Sequence, residues 1–255
     1  MLDSCFCFTN ALPEGASLNW KLWCLFGILF PALLGMGAWQ LQRADEKKMA
    51  LERFHDQIDQ PPRDWMSFLN SPIDFAQVRL EGGFLDQDWL LDNQIEGGRF
   101  GYRVFTPFCL NTATHAPQDS KECVLVDRGW VAGNLDRNIL PAIDRPEGNL
   151  ILQGRADHIS SSVILGESEP LVNSPYRVQQ IEIGEVSEMA GVPLSSWILR
   201  LLPGQRGVYK QNWQPVVVGP EKHIGYAVQW FAMAIVLAGL VAWLQFKPEK
   251  AVMDS

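Results

Sequence analysis

The sequence predicts a membrane protein of the α+β class, in which two transmembrane helices bracket an antiparallel β-rich domain of barrel or sandwich form. Two uncharged apolar runs, Leu22–Gln42 and Ile224–Phe246, are long enough as helices to cross a hydrocarbon core about 30 Å thick at about 1.5 Å per residue. Between them lie seven short runs rich in β-branched and aromatic residues, punctuated by Gly, Asn, Asp and Pro, without the alternating long helices of a doubly wound fold. The expected organisation is a tail over residues 1–21, a span over 22–42, a domain with an N-terminal helical extension over 43–222, a second span over 223–246 and a tail over 247–255.

The tail before the first span has Asp3 and Glu14 and no Lys or Arg before Lys21, the opposite of an Arg-rich transit peptide, which points to a bacterial inner membrane. The span itself is too long for a signal-peptide core, and Trp39-Gln40-Leu41-Gln42-Arg43 is no small-residue cleavage site, so it is read as a retained anchor. Pro31 is expected to kink it, and Gly27, Gly35 and Gly37 to admit a partner such as the Ala234, Ala238, Ala242 ridge of the second helix. The run R-A-D-E-K-K-M-A-L-E-R-F has no helix breaker before Pro61 and should carry the helix to about Ile58.

Expected strands are Gln77–Phe84, Asp88–Gln94, Tyr102–Leu110, Cys123–Val131, Asn149–Arg155, Tyr176–Ile183 and Ser196–Leu201, with one or two helical turns around Gly184–Ala190. Asn111–Glu122, Gly133–Gly148 and Ile159–Ser174 read as loops. Residues 43–222 carry 18 Lys and Arg against 25 Asp and Glu, and an acidic domain without a basic stripe argues against nucleic-acid binding and against adhesion to anionic lipid. No Ser, Cys or carboxylate stands in a recognisable catalytic motif, so the chain is read as no enzyme.

Among candidate sites, Gly97, Gly98 and Gly101 lack a following Lys-Ser and indicate a hairpin turn rather than a phosphate loop. Asp127-Arg128-Gly129-Trp130 is read as a strand ending in a turn, with a local ion pair and a Trp at the barrel rim. His55, His115 and His158 have no Cys or His at metal spacing and are taken as surface residues, while Cys5 and Cys7 are too few for a closed zinc site. His223 differs in standing at the lip of the second span. With Tyr226, Ala227 and Trp230 it recurs at i, i+3, i+4 and i+7 on one helical face, and Gly219, Pro220 and Glu221 suit the helix start. A neutral imidazole there is a metal ligand; the plain alternative is an interfacial polar residue beside an aromatic belt.

In order and spacing, L-G-M-G-A-W-Q-L-Q-R43, R-L-E-G-G-F84, L-L-D-N-Q94, G-Y-R-V-F-T-P107, V-L-V-D-R-G-W-V131 and G-P-E-K-H-I-G-Y-A-V-Q-W-F231 resemble the surfeit-locus-1 (Shy1-like) family of cytochrome c oxidase assembly factors. The resemblance covers essentially Gly35 to Trp243, and the family more often has Asn where this chain has Asp127. It implies a non-enzymatic inner-membrane factor, of the chaperone kind, that helps to build the haem a-containing subunit I of the terminal oxidase, with haem a synthase as a further partner and membrane lipid around the spans. It implies haem a bound by the histidine aligned with His223. A two-span extracytoplasmic sensor without haem, or a membrane-anchored enzyme, are the alternatives; the nine residues after Phe246 leave little room for an output domain.

The resemblance also implies that the β-rich domain is extracytoplasmic, in the periplasm, with both termini cytoplasmic. Local cations disagree, since Arg43, Lys47, Lys48 and Arg53 follow the first span and only Lys21 precedes it, but a loop of 180 residues translocates largely regardless of charge. In that compartment Cys109 and Cys123, at facing strand ends, are candidates for a disulfide, with two buried thiols as the alternative. Antiparallel spans would bring Arg43 to the level of His223, Tyr226 and Trp230, where Arg43 or Lys222 could pair with a haem propionate.

Overall fold

The computed structural model describes residues 14–111, 122–159 and 173–246. Its elements are α1 (Glu14–Asp56), β1 (Arg63–Asp64), α2 (Trp65–Asn70), β2 (Gln77–Phe84), β3 (Trp89–Glu96), β4 (Arg99–Leu110), β5 (Cys123–Ala132), β6 (Leu150–Asp157), β7 (Tyr176–Val178), α3 (Ile183–Ala190), β8 (Leu194–Leu201) and α4 (Pro220–Phe246). They fall into two units, one of residues up to Ala50 and from Val216, the other of Leu51–Pro215. The expected loop Gly133–Gly148 is irregular throughout, whereas most of Asn111–Glu122 and Ile159–Ser174, together with Cys5, Cys7 and His115, lie outside the described residues.

In the second unit β2, β6, β8, β5 and β4 pair in that order, and β4 pairs back onto β2, which closes a five-stranded barrel. β1 adds to β2, and β3 and β7 add beyond β4. The barrel pairings are antiparallel except β5–β8. A parallel neighbour cannot follow by a hairpin, and along the chain β6, β7 and α3 lie between β5 and β8.

Alternation fills the interior. Val78 and Leu80 of β2, Phe108 and Leu110 of β4, Val124 and Val126 of β5, Leu150 and Leu152 of β6, and Leu199 and Leu201 of β8 form one cluster, joined by Trp65 and Phe68 of α2. β4 and β5 are buried along nearly their whole length because their other face is covered as well. Ile181 and Val186 around α3 pack on Trp89, Phe105, Leu125 and Ile198, and Leu140 and Ile143 of the 133–148 loop pack on Leu90, Tyr102 and Val104. α2 has no counterpart among the sequence expectations; Asp64 caps it by accepting a hydrogen bond from the Met66 amide at 3.1 Å. The strand expected over Tyr176–Ile183 stops at Val178, where its three paired positions on β3 end, and Ile183 opens α3 instead.

A larger correction concerns Asp127-Arg128-Gly129-Trp130. These residues stay within β5 and form no turn. The register against β4 slips so that Val104 faces Gly129 and Phe105 faces Asp127, leaving Arg128 as the extra residue of a bulge. Gly129 sits at φ +102, and a Cβ there would lie 2.8 Å from the Lys210 carbonyl oxygen, so the chain needs glycine at the bulge. Asp127 and Arg128 point to opposite faces and make no ion pair with each other; each binds residues distant in sequence. By contrast Gly97 and Gly98, at φ +56 and +76, form the two-residue turn between β3 and β4 that the sequence suggests.

Cys109 and Cys123 are direct partners across β4 and β5, with Cα atoms 4.0 Å apart and the sulfurs joined at 2.02 Å. The last turn of α1 belongs to this unit: Phe54 packs edge-on against Phe75 and Trp213, and Arg53 pairs with Asp74 at 3.1 Å.

In the first unit, α1 and α4 hold segments, Trp20–Asp56 and Pro220–Gln245, that are long and apolar enough to cross a membrane. The helix that starts in the first span continues to Asp56, two residues short of the expected end. On α1 the covered positions from Leu22 to Ala44 are Leu22, Phe26, Phe30, Leu33, Gly37, Gln40 and Ala44; on α4 they include His223, Ala227, Trp230, Ala234, Leu237 and Val241. Both series step alternately by four and three residues over most of their length, the spacing of a coiled-coil seam. Gly37 meets Phe231 there, and a Cβ on Gly37 would lie 2.5 Å from that ring.

This seam replaces the expected small-residue ridge. Ala234 is buried, but Ala238 is half-buried and Ala242 exposed, and a Cβ on Gly27 or Gly35 would meet nothing within 4 Å. Steps of four residues drift by about 40° each around a helix, whereas alternating fours and threes hold one face.

Candidate functional site

The helix pair carries the candidate site. α4 begins at Pro220, whose fixed φ and missing amide suit a first helical position, with Glu221 in the first turn. His223 follows on the seam face, and its Nδ1 lies 2.8 Å from Oε1 of Gln40, a residue of the α1 seam. An amide oxygen only accepts, so Nδ1 donates in this contact, and a neutral imidazole bonded in this way has its lone pair on Nε2.

The other expected site residues are placed differently. Trp230 shares the covered face with His223, whereas Tyr226 is 51% exposed and lies off the seam. Arg43, next to the buried Ala44, pairs with Glu46 at 2.7 Å and stacks over Trp39 at 5.7 Å. Both Arg43 and Glu46 are partly solvated, so the pair is weak and exchangeable. Lys222 is exposed. The structure thus brings Gln40 to His223, a contact that sequence reasoning did not anticipate, although an amide near the end of an apolar run was a readable signal.

Among the described residues, no three His, Cys, Asp or Glu side chains cluster as a metal cage. A single imidazole cannot close a zinc site, but it suffices as an axial ligand where a macrocycle supplies the other donors. The donor set therefore fits haem iron. His55 and His158 are exposed, as expected; His158 lies over Trp197 with ring centroids 3.7 Å apart.

The second unit holds a separate system of buried charge. Asp127 has no exposed surface and receives Arg103 Nε at 2.7 Å, Arg200 Nη1 and the Gly129 amide at 3.0 Å. Arg200 also binds Asp157 at 2.6 Å and lies over Trp213. Arg128 turns to the other face, donating to the carbonyls of Gly207 and Asp144 between the rings of Phe84 and Tyr209. Asp88 accepts from Thr106 at 2.6 Å and from Arg145 at 2.9 and 3.0 Å. Burial nevertheless raises the Asp88 carboxyl above its ordinary range, and burial lowers the Arg128 guanidinium. These pairs tie β4, β5, β6 and β8 to the 207–213 segment and act as internal struts.

Residues 27–235, which include most of both spans and the whole barrel, match the SURF1 family. The chain belongs to the SURF1 family. It is 30% identical to a SURF1-like protein of Rickettsia bellii over 44% of each chain, and 28% identical to one of Dictyostelium discoideum over 43% of each. Those alignments span less than half the length of either relative. A SURF1-like protein of Rickettsia conorii is similar over a longer stretch, at 22% identity across 82% of this chain and 85% of the relative. As a SURF1 family member, the chain has the barrel and parts of both apolar helices within one family match.

Proposed function

We propose that this protein is a membrane-anchored assembly factor for haem-copper cytochrome c oxidase, assisting haem a insertion into the catalytic subunit I or steadying that subunit during insertion. The observation that carries this reading is a SURF1 family match that includes His223, whose imidazole is hydrogen-bonded through Nδ1 to Gln40. His223 would hold the iron, Trp230 on its own face and Tyr226 off the seam would offer aromatic surface, and Arg43 or Lys222 would supply charge for a propionate. Haem, when bound, brings its own redox chemistry; this chain binds and orients it. Partners on this reading are subunit I and haem a synthase, with the barrel in the periplasm of a bacterial inner membrane and no catalytic step on the chain itself.

Cells lacking the protein test this. Reduced-minus-oxidised spectra of their membranes should show much less haem a in assembled oxidase while subunit I is still synthesised, and the full chain supplied in trans should restore it. Normal oxidase in the deleted cells would overturn the assignment.

A further inference from the structure

We propose that Gln40 is a positioning residue for His223, holding Nδ1 as the protonated, hydrogen-bonded nitrogen so that Nε2 is the atom presented to iron. The inference rests on the haem-binding reading above. Every other covered position of the α1 seam from Leu22 to Ala44 is apolar or glycine, so an amide at Gln40 is costly there without a partner, and His223 is that partner at 2.8 Å. A free neutral imidazole populates both tautomers and rotates about its terminal torsion. An acceptor on Nδ1 removes both freedoms, as the outer hydrogen bonds of metal-ligating histidines do. The carboxamide does so without placing a formal charge in the apolar span, where a carboxylate would favour imidazolium and compete with metal binding. Gly37, one turn before Gln40, permits the close helix approach that the contact requires, since a side chain there would meet Phe231.

The test compares the full-length parent, Gln40→Leu and Gln40→Glu, purified in mild detergent with 15N-labelled histidine. His223→Gln assigns the His223 signals among the four histidines. Without haem, the parent should show His223 protonated at Nδ1, Gln40→Leu a large gain of the Nε2-protonated form, and Gln40→Glu a return of Nδ1 protonation. Titrated with haem a, Gln40→Leu should bind about tenfold or more weakly with the same type of axial-ligand spectrum, the size of effect usual for such outer partners. An unchanged tautomer in Gln40→Leu overturns the proposal, even if haem affinity drops, and so does a Gln40→Glu variant that fails to regain Nδ1 protonation. If the parent takes up no haem a, the haem reading fails, and the tautomer comparison alone decides the role of Gln40.

Discussion

Asp127 is fully buried and shared by two arginines, which makes it the residue whose loss the barrel should tolerate least. Replacing it by Ala takes from Arg103 its buried carboxylate and leaves Arg200 only Asp157, and removing one partner of a buried ion pair costs about 3–5 kcal/mol. Chemical unfolding of the detergent-solubilised protein should register a loss of that size, whereas Glu46→Ala, which removes the partly solvated pair with Arg43 and an exposed hydrogen bond from Gln42, should change stability by less than about 1 kcal/mol. Asp88 gives the pH dependence. Its folded-state value is raised by burial, so the folded protein binds this proton more tightly than the unfolded chain. Stability from this group therefore grows as pH falls from the raised value toward the ordinary one. Asp88→Asn lacks the term, so the stability gap between parent and variant should widen in favour of the parent across that window; a narrowing gap would contradict it.

The Cys109–Cys123 bridge joins the ends of two barrel strands around a loop of 13 residues, and closing such a loop contributes about 3 kcal/mol on chain-entropy arithmetic. Alkylation should label both thiols only after reduction, and equal labelling without reductant would rule the bridge out. The strands themselves were largely legible: β2 was expected and found at Gln77–Phe84 because Val78 and Leu80 alternate with polar neighbours. α2 was not, since six residues after two prolines are too short to establish a helical period. The β5 bulge was misread because a glycine after Asp-Arg suits a turn equally well, and only pairing with β4 and Lys210 reveals which holds. The partners of Asp127 lie 24 and 73 residues away, a proximity set by strand register that no local pattern encodes. In the helix pair, His223 stood out as an ionisable group opening an apolar run, but its contact to Gln40 depends on the seam between the helices.

At the scale of the whole molecule, the proposed topology puts the barrel in the periplasm, so a periplasm-active reporter fused at Asn111 should be active, and a silent one would overturn that topology. The central claim is that the helix pair binds haem a through His223. It is tested most directly by purifying the parent, His223→Ala and His223→Met in mild detergent from cells that make haem a, and recording their visible spectra. The account predicts haem a with the parent, little or none with His223→Ala, and a shifted spectrum with His223→Met, because a thioether can still ligate iron. Equal haem a with an unchanged spectrum in all three would contradict it.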